Sequence, residues 1–261
     1  MIRVGIGGWV YEPWRGTFYP KGLAQVRELA HASRSVTSIE INSTFYASQK
    51  PASFRRWAAE TPDDFVFSLK GPRYATHRRV LAEARSSTER FFASGITELK
   101  HKLGPVLWQL PPTKAFNVDD FTAFLELLPR ALDGLPLRHA VEVRHASFLT
   151  TDFVALLRKH AVAPVLVDSD KHPMIADVTS DFVYARLQRT SEKVKTGYPP
   201  AALDTWAKRA EAFAQGGTPA DLTTLADAPR SKSKRDVFIY MISGAKVRAP
   251  AAAMALIERL G

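Results

Sequence analysis

The sequence predicts an α/β fold closed as a single TIM-type (β/α) barrel, and three observations carry that reading. Short strand-like runs alternate with amphipathic stretches along the chain, the runs number eight, and six of them close on a polar or charged residue: Asn42, Lys70, Gln109, Arg144, Asp168 and Arg186. Alternating strand and helix patterns argue for a parallel sheet, and a count of eight argues for closure. A polar residue at the carboxyl end of a buried parallel strand faces the βα loops, where such barrels place their active sites. Function is therefore expected at one open end. The 261 residues suit a single domain, since such a barrel typically takes about 250.

The elements follow in order. Strand one is expected at Arg3 to Gly8, then a helical stretch around Gly22 to Ala32 and strand two at Thr37 to Asn42. A helix at Ala52 to Glu60, with Phe54 and Trp57 on one face and Thr61-Pro62 as its stop, leads to strand three at Phe65 to Lys70. Helix Thr88 to Leu99 precedes strand four, Pro105 to Leu110, which Pro111-Pro112 ends. Helix Asp119 to Leu128, with Phe121, Phe124, Leu125 and Leu128 on one side, feeds strand five at His139 to Arg144. Helix Thr151 to His160 feeds strand six at Ala163 to Asp168, and strand seven is Phe182 to Leu187. A helix around Ala201 to Ala214, strand eight at Val237 to Ile242 and a helix at Pro250 to Leu260 complete the chain. The stretch Gln215 to Arg235, rich in Gly, Pro, Thr, Ser and Lys, has no clear period. It is expected to be a flexible insertion around 215–236, of the kind that can serve as a lid.

Composition narrows the chemistry. The chain has no cysteine, which removes disulfides, thiolate catalysis and cysteine-ligated metals and agrees with a reducing compartment. Its N-terminus has too few apolar residues for a signal peptide, and no apolar run reaches membrane-spanning length. A soluble cytoplasmic protein with no membrane partner is expected. The net charge of +10 attracts phosphates, polynucleotides or acidic membrane surfaces and does not by itself choose between them. Much of the excess lies in Lys70 to Arg79 and Arg230 to Arg235, the second read as a solvated loop.

Residues two apart on a strand share a face. Ser38, Glu40 and Asn42 oppose Ile39 and Ile41; Ser68 and Lys70 oppose Phe67 and Leu69; Ala140, Glu142 and Arg144 oppose Val141 and Val143. With the apolar sets on the helix layer, the polar sets line the barrel, joined by Tyr184, Arg186 and Asp168. Charges of both signs in a space of low dielectric shift one another's pKa values and favour function. The alternative is an ion-pair network that neutralises itself, a poor source of stability.

Three cations at strand ends, Lys70, Arg144 and Arg186, suit a phosphate or carboxylate. Glu142, Glu40, Asp168 and His77 are the candidate acid–base groups; Trp9, Asn42, Lys70, Gln109, Arg144 and Arg186 are the candidate ligand contacts. The carboxylates could instead hold a divalent ion, but Lys70 and Arg144 compete for them, so no metal-ligating residues are assigned and the cofactor is left open. The aromatic segment Gly7 to Pro20 can stack on a base or sugar, Trp9 being the best placed, or it can pack on itself, the reading that suits Trp14 and Phe18. Ser43 and Thr44 are explained by helix capping; Asn42, on the inward face, is not. His77 rests its claim on nearness to Lys70. No Gly-x-Ser-x-Gly, His-Glu-x-x-His or P-loop pattern is present.

The order of motifs resembles the YecE-like family, also called domain of unknown function 72. The resemblance rests on Gly5 to Pro20, Glu40 to Tyr46 (E-x-N-S-T-F-Y), Phe54 to Lys70, Thr76-His77, Leu103 to Pro112 (ending Q-L-P-P), Ala140 to Arg144 and Thr196 to Ala207. It implies a TIM-type barrel and an activity that is itself unassigned. It also implies that Trp9, Glu40, Asn42, Lys70, His77, Gln109, Glu142, Arg144, Asp168 and Arg186 line the mouth. Two departures stand out: relatives have His-Gly after the strand-seven arginine and a Phe-Asn-Asn-like end to strand eight, where this chain has Leu187-Gln188-Arg189 and Met241-Ile242-Ser243. Two functional expectations result. One is a protein that binds an anionic, phosphorylated or nucleotide-like ligand at the barrel mouth, as a hydrolase or isomerase. The other is a non-catalytic nucleic-acid-binding protein.

Overall fold

The computed structural model describes residues 1–228 and 233–261. Eight parallel strands close into a barrel: β1 (Ile2–Gly7), β2 (Ser38–Ile41), β3 (Val66–Lys70), β4 (Leu103–Gln109), β5 (His139–Glu142), β6 (Ala163–Asp168), β7 (Phe182–Leu187) and β8 (Asp236–Met241). Each strand pairs with its sequence neighbours, and β8 returns to β1. The main helices are α1 (Glu28–Ser35), α2 (Pro51–Glu60), α3 (Arg85–Phe92), α4 (Val118–Glu126), α5 (Thr151–His160), α6 (Pro200–Ala214) and α7 (Ala249–Leu260). The α/β barrel expected from the sequence is the fold observed.

Strand alternation produces two cores. Leu107, Val165, Val167, Tyr184, Phe238 and Tyr240 fill the inside of the barrel; Ile39, Ile41, Phe67, Leu69, Trp108 and Val141 pack outward against the helices. The Tyr240 hydroxyl crosses the barrel to Ser38 Oγ at 2.7 Å and Ser68 Oγ at 2.6 Å, so the small polar residues of the interior find partners in the dry centre.

Local chemistry sets the helix limits. Pro51 opens α2, where its missing N–H costs nothing. Asn117 caps α4 by accepting from Asp120 N at 2.9 Å, and Thr150 caps α5 by accepting from Phe153 N at 3.2 Å. Buried Phe121, Phe124 and Leu125 on α4, and Phe153 and Leu157 on α5, form the inward stripes that the sequence marks out. The helix expected at Thr88 to Leu99 is instead α3 followed by 3₁₀ turns at Ile96–Lys102, because the chain breaks at Gly95, with φ of +92°.

The further expectation that 215–236 serves as a lid needs correction on topology. Its described residues follow the C-terminal end of α6 and lead into the start of β8, so they lie on the N-terminal face, opposite the mouth. Its described part is tied down: Leu225 N and Ala226 N both donate to the Asp177 carboxylate at 2.9 Å, and Arg235 Nη1 donates to Gly217 O at 3.0 Å. Arg230 to Lys232, from the second basic run, fall outside the described residues. Among the described residues, no helix is long and apolar enough to cross a membrane.

Candidate anion site at the barrel mouth

The end of β3 is fixed from both sides. Gly71 follows Lys70 directly, and a Cβ there would meet the Trp108 ring at 2.5 Å, so only glycine lets the chain leave the strand at this point. From the β2 side, Thr44 Oγ1 donates to Lys70 O at 2.7 Å and sits 3.1 Å from Ile41 O. Thr44 is therefore no helix cap: the short turn Ser43–Tyr46 has no side-chain cap, and its threonine anchors the neighbouring strand instead. This anchoring brings Phe45 beneath Lys70, whose Nζ lies 4.0 Å from the ring centroid.

Arg186 organises the centre. The residue is 1% exposed, and its guanidinium contacts three side chains from other strands: Glu40 Oε1 at 3.0 Å, Glu142 Oε2, and Gln109 Oε1 at 3.2 Å. The second oxygen of Glu40 accepts from Tyr184 OH at 2.6 Å, and the second of Glu142 accepts from Arg144 Nε at 2.6 Å. Both carboxylates are fully buried, with both oxygens occupied. Burial alone would raise the Glu142 carboxyl, but Arg186 and Arg144 outweigh it and hold the group below its usual range. Burial opposes the Arg186 charge too, and Glu142 and Glu40 more than restore it.

Lys70, Arg144 and Arg186 against Glu40 and Glu142 leave one positive charge in excess. That charge resides on Lys70, which is 7% exposed and makes no ion pair or side-chain hydrogen bond among the described residues. Burial first, and then the nearby Arg186, push its ammonium down to about 8. Among the described residues, Arg186 Nε and Gln188 Nε2 are likewise buried with no hydrogen-bond acceptor, and His172 Nδ1 is buried without a hydrogen-bond partner. His172 lies on the β6–β7 connection within the field of Arg144 and Glu142, and burial and then Arg144 lower its pKa. His77 is lowered by burial, then by Lys70 and Arg144, and its ring packs 5.4 Å from Phe45.

Three sequence assignments move. Asp168 has the opposite strand parity to Val165 and Val167, which line the interior. Its carboxylate turns outward, accepting from Tyr198 OH at 3.0 Å and Trp206 Nε1 at 3.2 Å, and is a latch for α6. Trp9 packs edge-on to Trp57 at 5.2 Å and against Phe67 at 6.4 Å, in the helix-side core. Asn42 donates to Glu40 O at 3.2 Å, which fixes the end of β2. By contrast, Glu40, Lys70, Gln109, Glu142, Arg144 and Arg186 meet at one place, with His77 beside them. His172 and Gln188 escaped the sequence reading: both follow strand ends, in connections without a period, although Gln188 shares the parity of Arg186.

Asp168→Ala should strand two buried donors and lower stability by about 2 kcal/mol or more, read from urea unfolding, with anion affinity unchanged. Among the described residues no group of three or more His, Asp or Glu is placed to hold a metal ion. A cavity of about 560 Å³ opens at the opposite rim, near Arg3, Arg138 and Phe238. Arg138 there pairs with Asp181 at 2.7 Å and Asp236 at 2.6 Å, whereas Lys70 at the mouth has no ion pair among the described residues.

A model of the family described as "Protein of unknown function DUF72" matches residues 3–261. The chain belongs to the DUF72 family. Among curated relatives, UPF0759 protein YecE of Escherichia coli K12 is 31% identical over 150 residues, 57% of this chain and 50% of YecE. UPF0759 protein YunF of Bacillus subtilis 168 is 30% identical over 161 residues, 59% of this chain and 54% of YunF. The chain thus spans about half the length of the curated relatives it matches. A DUF72 family protein from Thermotoga maritima MSB8 superposes with a TM-score of 0.75 at 23% identity, covering 100% of this chain and 99% of that one. SacUVDE gives a TM-score of 0.56 at 9% identity, covering 99% of each. These two likenesses are of fold alone.

Proposed function

We propose that this DUF72 protein binds a small phosphorylated ligand at the C-terminal mouth of its barrel, with Lys70 and Arg144 as the principal contacts and Arg186 held behind them. The observation that carries the reading is the one-sided set of unmatched groups. Among the described residues Lys70 Nζ is without an ion pair, and the buried donors Arg186 Nε and Gln188 Nε2 are without an acceptor. An unsatisfied buried donor costs about 1–3 kcal/mol, and a ligand rich in acceptor oxygens recovers it for several groups at once. The carboxylates serve mainly to hold Arg186, since neither has a free oxygen. Proton transfer in a hydrolase or isomerase then falls to His77, His172 or neutral Lys70 rather than to Glu142 or Glu40.

Sulfate, whose charge is constant near neutrality, tests the site by calorimetry. Its affinity should be level around pH 7 and fall as the pH rises through about 8, where the Lys70 ammonium is lost, approaching tenfold per pH unit. His77 and His172, both lowered below the ordinary histidine value, contribute no slope in that window. A flat profile to pH 10 would remove Lys70 from the site. The second reading, nucleic-acid binding, draws on the net charge of +10 and on Arg73, Arg78 and Arg79 beside the mouth. It requires affinity for polynucleotide that drops steeply with salt and is indifferent to Lys70→Met.

A further inference from the structure

Beside the mouth, a cavity of about 260 Å³ lies between the β2 and β3 loops and α3, lined by Tyr46, Tyr74, Arg78, Ser87, Arg90 and Phe91. Tyr46 is 64% exposed and Tyr74 is 60% exposed, and among the described residues these are the aromatic side chains left in solvent. A molecule that buries Trp14, Trp57, Trp108 and most of its phenylalanines leaves two aromatic rings bare on one cavity. Exposed rings gathered around a cleft offer flat faces for stacking.

The cations around them lack acids. The Arg78 guanidinium donates to Tyr74 O at 2.9 Å and Ser87 Oγ at 3.3 Å, neither of them charged. Arg73 stacks over the Tyr74 ring at 5.3 Å, and neither Arg73 nor Arg90 has an ion pair among the described residues. The cavity is also joined to Lys70 by a short aromatic path: Tyr46 meets Phe45 edge-on at 5.1 Å, and the Phe45 face holds the Lys70 ammonium.

We propose that this cavity receives the heteroaromatic base of the ligand, stacked on Tyr46 and Tyr74, so that the ligand class is a mononucleotide whose phosphate reaches the mouth. The proposal rests on the reading of the mouth as an anion site and adds the other half of the molecule. The exposed tyrosines supply area at low entropic cost, and the unpaired arginines keep the approach positive. Stacking of one base contributes roughly 5- to 100-fold in affinity.

Calorimetry with inorganic phosphate, ribose 5-phosphate, AMP and UMP tests it on the whole chain. AMP and UMP should bind at least about fivefold tighter than ribose 5-phosphate. In Tyr46→Ala/Tyr74→Ala that advantage should vanish while inorganic phosphate binds as before; Lys70→Met should weaken all four ligands. Equal affinity for AMP and ribose 5-phosphate, with phosphate still bound, overturns the base cavity and leaves the mouth reading intact. No binding of any phosphate overturns both. A short single-stranded oligonucleotide that gains affinity with each added nucleotide overturns the mononucleotide in favour of a polymer.

Discussion

Lys70→Met is expected to weaken sulfate or phosphate binding by roughly 10- to 100-fold while leaving the fold equally or more stable. The loss follows from removing one charge-assisted contact, about 1.5–3 kcal/mol. The stability effect follows from the sign of the pKa change. The folded-state ammonium titrates at about 8, below its ordinary value of 10.5, so between those values the unfolded chain holds more protons than the native one. Stability then rises with pH across that window, and below it the charged, unmatched lysine is a burden on the native state. Methionine removes the burden and keeps the stem, so the urea midpoint at pH 7 should rise or hold and its upward slope from pH 8 to 10.5 should disappear. Loss of binding accompanied by a fall in midpoint would mean that Lys70 is a structural residue.

How much of this could be read from the chain depended on where each residue sits. Period-two alternation sufficed for Glu40, Lys70, Glu142 and Arg186, because a strand side chain has two choices of face and the apolar neighbours occupy one. The same rule misplaced Asp168, since its strand is apolar on both faces and Val165 and Val167 give no contrast with Leu166. His172 and Gln188 sit in connections where no period operates, and their positions are set by contacts distant in sequence. Trp9 illustrates the opposite limit: an aromatic next to a strand end suits a ligand equally well, until Trp57 on α2 and Phe67 on β3 claim its ring. The barrel is legible because it repeats; the partners of its mouth are not.

Arg186→Met should cost far more stability than any other change at the mouth. The guanidinium neutralises two carboxylates that are wholly buried, and breaking a buried pair from one side typically costs about 3–5 kcal/mol, because a charge remains in a medium that cannot solvate it. Against a typical total of about 5–15 kcal/mol, that approaches unfolding at ambient temperature. The native Glu142 carboxyl is held below its usual range, so its contribution is present above the unfolded value and lost as the pH falls through the folded one. Without Arg186, burial is opposed by Arg144 alone and the carboxyl moves upward, so the variant should gain stability on acidification from pH 8 to 5. Urea midpoints across that range would expose this inverted slope. Adding Glu40→Gln and Glu142→Gln to Arg186→Met should recover most of the loss at pH 8, since three charges are then removed together. If the triple variant is no better than the single one, the arginine acts through packing volume, and the charge ledger at the centre of the barrel is not what holds it.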